Sequence, residues 1–301
     1  MKKTLIAMAV ASLAATPVMA DKKSDHNFFG QAKYEMGMVK NANGDNQLQN
    51  SWYGTRFGVH GSEDLGNGMK GIYRVMGNVT SGANGPTQAN NFAFNEELWA
   101  GVAGDFGTIR FGRSDHAHKL AVLPFRAFTD TLADAQAFNA ARWGREMGVH
   151  YRTKNMNGLT INANVAATGN ETDVNAGISA VYSTGDLRFS VSYDSRGSDT
   201  EDDNYSAGIY YKAGALGTGL LYESLDGGDE VQITLPVTYR IDNTTLRAAV
   251  VRLDEDGSDA TTNVAVGGIY HFSRKTNIFA NVWTVGDNDD THFGFGMQRS
   301  F

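Results

Sequence analysis

Leu187-Arg188-Phe189-Ser190-Val191-Ser192-Tyr193-Asp194 alternates apolar and polar residues without a break. A period of two is the pattern of a β-strand with one apolar and one polar face. The pattern extends outward from this stretch in both directions. Leu159, Ile161, Ala163 and Val165 alternate with Thr160, Asn162, Asn164 and Ala166, and Phe28, Gly30, Ala32, Tyr34 and Met36 with Phe29, Gln31, Lys33 and Glu35. Downstream, Val231, Ile233, Leu235, Val237 and Tyr239 alternate with Gln232, Thr234, Pro236 and Thr238. Over 244–252 and 275–285 strands are predicted but the parity is blurred.

Strands are predicted over 28–38, 52–61, 69–79, 95–103, 107–113, 146–153, 158–166, 174–182, 187–194, 204–212, 216–223, 230–239, 244–252, 262–271, 275–285 and 291–301. That is sixteen, an even number, as bacterial outer-membrane barrels have. Short connections, such as Gly104–Phe106, Ser183–Asp186 and Ala213–Ala215, alternate with mostly longer ones, 39–51, 80–94, 114–145, 167–173, 195–203, 224–229, 253–261 and 286–290. Tight turns at one end and longer loops at the other fit a membrane barrel. Sixteen strands of about 10 residues leave enough chain for those connections.

The N-terminus carries an address. Lys2 and Lys3 precede an apolar run from Leu5 to Ala15, and Val18-Met19-Ala20 puts small residues before a cleavage point. This is the pattern of a secretory signal peptide over residues 1–20, with a mature domain over 21–301. The run is too short for a membrane helix, which needs about 20 residues. There is no cysteine, so sheet and packing must hold the fold. Gly is abundant at 35 and Pro scarce at 4, as a large sheet with tight turns requires. Net charge is −7, and two lower, at −9, without the signal-peptide lysines. An acidic chain is not suited to nucleic acid.

A soluble β-sandwich would also alternate. The last stretch argues for a closed barrel instead: Phe293, Phe295, Met297 and Phe301 share one face, with Gln298 and Ser300 on the other. If the last strand pairs with the first, the sheet has no open edge and its backbone is satisfied within lipid. The expected fold is therefore all-β, a closed antiparallel transmembrane β-barrel of about sixteen strands, apolar outside and polar within. Tyr34, Tyr151, Tyr182, Tyr193, Tyr211, Tyr222, Tyr239, Tyr270 and Phe301 fall near strand ends and are candidates for aromatic girdles.

Arg56-Phe57-Gly58 followed by Gly61-Ser62-Glu63-Asp64-Leu65-Gly66-Asn67-Gly68-Met69-Lys70 resembles the opening of the trimeric general-diffusion porins, and Phe106-Gly107-Thr108-Ile109-Arg110-Phe111-Gly112-Arg113 resembles their marker before a long third loop. The terminal strand ending in Phe301 resembles their assembly signal. The resemblance implies a passive channel for small ions and polar solutes, not an enzyme. It implies a homotrimer among outer-membrane lipid and lipopolysaccharide, delivered by the barrel-assembly machinery, with no cofactor. It also implies a third loop, here 114–145, folded into the lumen. Within that loop Thr131–Ala141 is suited to a helical turn, and Leu120, Val122, Leu123, Phe125, Phe128, Leu132 and Phe138 are expected to pack on the barrel wall.

Alternation places Lys33, Arg56, Lys70, Arg74, Arg110 and Arg152 toward the lumen. The family's strand-two arginine matches Arg56, and where some members carry a strand-four arginine this chain has Glu97. The expected pore constriction is Arg56, Lys70, Arg74, Glu97, Arg110, Asp130 and Asp134, with Arg142 and Arg145 near its mouth. Acidic loops at Asp199–Asp203, Asp254–Asp259 and Asp287–Asp290 are suited to collecting divalent cations beside lipopolysaccharide. His116 and His118 lack a third clear metal ligand. The alternatives are a substrate-selective porin or an outer-membrane enzyme or adhesin. No G-x-S-x-G, H-E-x-x-H or P-loop supports the enzyme.

Overall fold

A computed structural model of the chain describes residues 24–40, 44–80, 91–137, 144–167, 174–196, 203–286 and 290–301. The expected signal peptide, Phe138, Arg142, Asp199, Glu201, Asp202, Asp287 and Asp289 lie outside them. The strands are β1 (Ser24–Lys40), β2 (Asn46–Ser51), β3 (Arg56–Gly66), β4 (Met69–Thr80), β5 (Asn91–Gly104), β6 (Gly107–Asp115), β7 (Arg145–Arg152), β8 (Leu159–Ala167), β9 (Val174–Thr184), β10 (Leu187–Ser195), β11 (Asn204–Ala213), β12 (Leu216–Leu225), β13 (Glu230–Ile241), β14 (Thr244–Glu255), β15 (Thr261–His271), β16 (Thr276–Thr284) and β17 (Thr291–Ser300).

Every neighbouring pair is antiparallel, and β17 pairs with β1 from Gln31 opposite Ser300 to Met38 opposite Phe293. The sheet thus closes on itself. Both β2 and β3 pair with β1, so these two segments occupy one wall position and the barrel has sixteen. A turn separates them, closed by Thr55 N–H donating to Trp52 O at 2.8 Å, with Gly54 at φ +87°. Most of the expected loop 39–51 is therefore strand, and the expected strand 52–61 starts four residues later. The polar, alternation-poor stretch Asn46–Ser51 hid its strand character.

The faces are inverted relative to a soluble sheet. On β10, Phe189 and Val191 are 40 % and 54 % exposed, whereas Ser190 and Asp194 are 2 % and 0 %. Apolar side chains can face outward at no cost only where the surroundings are hydrocarbon.

Between β6 and β7 the chain forms α1 (Ala117–Val122), a 3-10 turn (Leu123–Phe125) and α2 (Leu132–Ala137). The second helix falls within the expected Thr131–Ala141; the first was not expected. Phe125 and Phe128 are fully buried. Phe128, Leu132 and Ala133 pack with Val39, Ala249, Val251, Ala265 and Trp283 of the inner wall, and Val122 and Phe125 with Leu221 and Tyr210. Burying each phenylalanine is worth roughly 1.5–3 kcal/mol. Leu123 departs from expectation and is 42 % exposed.

These contacts explain the blurred parity. Ala249, Val251, Phe279 and Trp283 are buried on the inner face, while Val250 and Val282 are exposed on the outer one. Where the segment covers the wall, both faces are apolar. Glycine makes room beneath it: a Cβ at Gly208 would come within 2.5 Å of the Phe125 ring, and one at Gly219 within 3.0 Å.

Candidate functional site

A cavity of about 470 Å³ lies between the β1, β3–β7 side of the wall and the segment after β6. Eight charged residues line it: Arg56, Arg74, Lys119 and Arg145 against Glu96, Glu97, Asp115 and Asp130. Formal charge is thus balanced, and nearly every group has a partner. Arg145 Nη1 lies 2.6 Å from Glu96 Oε2, and Arg145 Nε 3.0 Å from Asp115 Oδ1. Lys119 Nζ lies 2.8 Å from Asp115 Oδ1, and Arg74 Nε 3.5 Å from Glu97 Oε2. Arg56 forms an ion pair with Asp130 and stands 3.9 Å from Glu96.

Asp130 is aimed by its backbone. It adopts φ +62°, a left-handed conformation that Asp tolerates better than most residues. Lys33 Nζ donates to its carbonyl oxygen at 2.6 Å, and its own N–H donates to Asp134 Oδ2 at 3.2 Å. Burial pushes the Lys119 ammonium below its ordinary value, with the Asp115 carboxylate opposing.

Of the seven expected constriction residues, Arg56, Arg74, Glu97 and Asp130 line this cavity together. Arg110 lies in an adjoining recess with His150 and Arg152, its guanidinium 4.6 Å over the Trp99 ring. Lys70 does not join them: it is exposed near the short turn after β3, opposite Asp64 and Ala103. Asp134 does not either. It is 1 % exposed and accepts from Arg126 Nε and Nη2 at 3.0 and 2.8 Å, so it braces the segment from within. Parity alone cannot tell how far along a strand a residue sits, nor which partner a loop acid takes.

Glu96, Asp115 and Lys119 were missed. A register irregularity between Met76 and Asn78 brings Glu96 to the cavity beside its neighbour Glu97, against simple alternation. Asp115, the last residue of β6, and Lys119 in α1 pair across the start of the helix, a contact that strand parity cannot foresee.

His116 and His118 are both buried, and among the described residues no cluster could hold a metal. His118 Nδ1 is hydrogen-bonded to Ser192 Oγ at 2.8 Å and Nε2 to Glu223 Oε1 at 3.1 Å. Ser206 Oγ extends the chain at 2.5 Å, and Gln232 Nε2 donates to Glu223 at 2.9 Å. A hydroxyl, an imidazole and a carboxylate in this order resemble a nucleophilic triad. All three are buried where α1 packs on the wall. The chain anchors α1 to β10 and β12.

A closed antiparallel barrel, apolar outside and lined within by paired charges, defines a transmembrane β-barrel protein with a polar interior. The chain belongs to the Gram-negative porin family, whose model matches residues 6–291, and is an outer-membrane β-barrel. It is 25 % identical over 263 residues to outer membrane protein U of Vibrio cholerae, covering 81 % of this chain and 72 % of that one. Major outer membrane protein P.IA of Neisseria meningitidis is 41 % identical over 61 residues, which is 20 % of this chain and only 15 % of that relative. The anion-selective porin from Comamonas acidovorans superposes with a TM-score of 0.75 at 18 % identity, covering 93 % of this chain and all of that one. At that identity the likeness shows the fold.

Proposed function

We propose that the protein is a passive diffusion channel for small hydrophilic solutes and ions, and that the segment after β6 lies in the lumen as its constriction. One observation carries this reading: α1 contacts β8–β11 and α2 contacts β15–β17, both against inner faces, leaving the charged cavity on the opposite side of the segment. Arg56, Arg74, Glu97 and Asp130 then act on passing solutes, joined by Glu96, Asp115, Lys119 and Arg145. A unit charge about 5 Å from an ion is worth ~0.8 kcal/mol in water and ~3.3 at an effective dielectric of 20. Such charges bias traffic without closing the path. Because the eight are balanced and paired, selectivity between anions and cations is weak.

The channel works without catalysis, as the family and the burial of Ser192 suggest. A homotrimer is part of this reading; a structural neighbour, OmpT of Vibrio cholerae, is described in a trimer form. Residues 1–20 act as a cleaved signal peptide, the strand ending in Phe301 engages the assembly machinery, and the acidic outer loops meet lipopolysaccharide through divalent cations. The test is single-channel conductance of refolded protein in a planar bilayer under a salt gradient. Stepwise openings with a small reversal potential are expected; a folded, inserted protein that passes no current would end the proposal.

A further inference from the structure

On the outer wall the row Phe293, Phe295, Met297 ends in a cation. Arg299 lies opposite Thr276 on β16 and Ala32 on β1, in the same register that sets Met297 opposite Ile278 and Tyr34. It therefore faces outward, at the short-turn end of the barrel. The adjacent turn, between β15 and β16, carries Arg274 and Lys275, both exposed. The Ser300 N–H donates to Lys275 O at 2.7 Å, which ties that turn to the Arg299 strand end. No carboxylate among the described residues pairs with any of the three. The neighbouring turn between β13 and β14 carries Asp242, and those after β5 and β9 carry Asp105 and Asp186; this one carries no acid. The Phe301 backbone oxygen accepts from Gly30 N–H on β1 at 3.3 Å.

Directly above this cationic rim the wall is dented. A groove of about 520 Å³ is floored by Gly268 and Ala280 and walled by Tyr34, Tyr270, Phe295 and Met297. Gly268 and Ala280 are opposite each other in register, so two small residues meet between the same-face pairs Val266–Val282 and Tyr270–Ile278. Met297 and Arg299 are two residues apart on one face, about 7 Å. Phe272, 60 % exposed, stands edge-on to the groove residue Tyr270 at 5.1 Å.

We propose that this groove and its three cations form a binding site for one anionic phospholipid of the periplasmic leaflet, its acyl chain in the dent and its phosphate on Arg299, Arg274 and Lys275. Short turns mark the periplasmic end of such barrels. An outward arginine at the edge of the apolar band reaches the headgroup level by extending its stem along the wall. Uncompensated cations there attract anionic headgroups, and the dent supplies the shape that a smooth wall lacks. The site rests on the barrel and its orientation, not on channel activity, so it stands or falls separately from conduction.

The test is native mass spectrometry of the detergent-solubilised protein with phosphatidylglycerol or phosphatidylethanolamine added. The first phosphatidylglycerol should be retained preferentially over the zwitterionic lipid. Each cation removed should lower that preference about fivefold. Because Arg299→Gln lies in the closing strand and can impair folding, the double variant Arg274→Gln/Lys275→Gln, confined to an exposed turn, is the primary one; its fold is checked by heat-modifiable gel mobility. Ala280→Leu should fill the dent and lower retention of both lipids. Equal retention of the two lipids by the native protein, or a preference untouched by the double variant, overturns the proposal. Displacement of the lipid by glycerol phosphate alone would overturn the acyl half of the site.

Discussion

Arg56 and Asp130 form an ion pair that ties β3 to the segment after β6, and Lys33 holds the Asp130 carbonyl oxygen at 2.6 Å from the other side. Two cations from the wall thus converge on one left-handed loop residue. The pair both positions the segment and cancels its own field in the cavity.

Asp130→Asn should therefore shift selectivity toward anions. It leaves Arg56 with Glu96 at 3.9 Å as its nearest acid. The charge unmasked is worth ~1–3 kcal/mol to an ion about 5 Å away, between water and an effective dielectric of 20. Reversal potential under a salt gradient should move accordingly by several-fold in the permeability ratio. An unchanged ratio would remove Asp130 from the selectivity set.

Phe125→Ala should loosen the segment. The ring is fully buried against Leu221 and stands edge-on to Tyr210 at 5.7 Å. Losing a buried phenylalanine costs about 3–5 kcal/mol. The outer wall is untouched, so the barrel should still fold and migrate as a heat-modifiable species. Open-channel current noise should rise, and a quiet channel would show that the helices are held by other contacts.

Glu223→Ala should free α1 more selectively. It strips an acceptor from His118 and from Gln232, and each buried group left unsatisfied costs about 1–3 kcal/mol. Amide exchange over Ala117–Val122 should quicken at least tenfold while that of β14–β17 stays unchanged. Uniform quickening would mean that the chain supports the barrel rather than the helix.

Selectivity should also depend on alkaline pH. Burial holds Lys119 below the ordinary lysine value of 10.5. As pH rises through that lowered value the ammonium is lost while Asp115 stays charged, so the cavity gains one net negative charge. Cation preference should rise over that window, and the step should vanish in Lys119→Gln. A step that persists there belongs to another group.

Most strand positions and the inverted faces were readable because a period of two is a local property, written into each strand separately; β2, which lacks it, was not. The segment after β6 was readable in part: its excess of apolar residues announced burial, but not that Leu123 would stay exposed while its neighbour Phe125 was enclosed. Arg56 was found by parity and by resemblance, and the structure brings it to the cavity. Lys70 satisfied the same criteria and is exposed near the turn after β3, while Asp134, expected as a loop acid, pairs with Arg126 within its own segment.

The amino-acid sequence by itself determined a sheet of alternating apolar and polar faces joined by tight turns and longer loops, because a period of two is written locally. Only the tertiary structure decided which charges meet. Arg56 and Asp130 are brought together across seventy-four positions of sequence, and His118 and Glu223 across one hundred and five. Such pairs depend on where a covalently distant loop comes to rest. That is set by glycines and small residues on the opposite wall, whose vacant volume leaves no periodic trace.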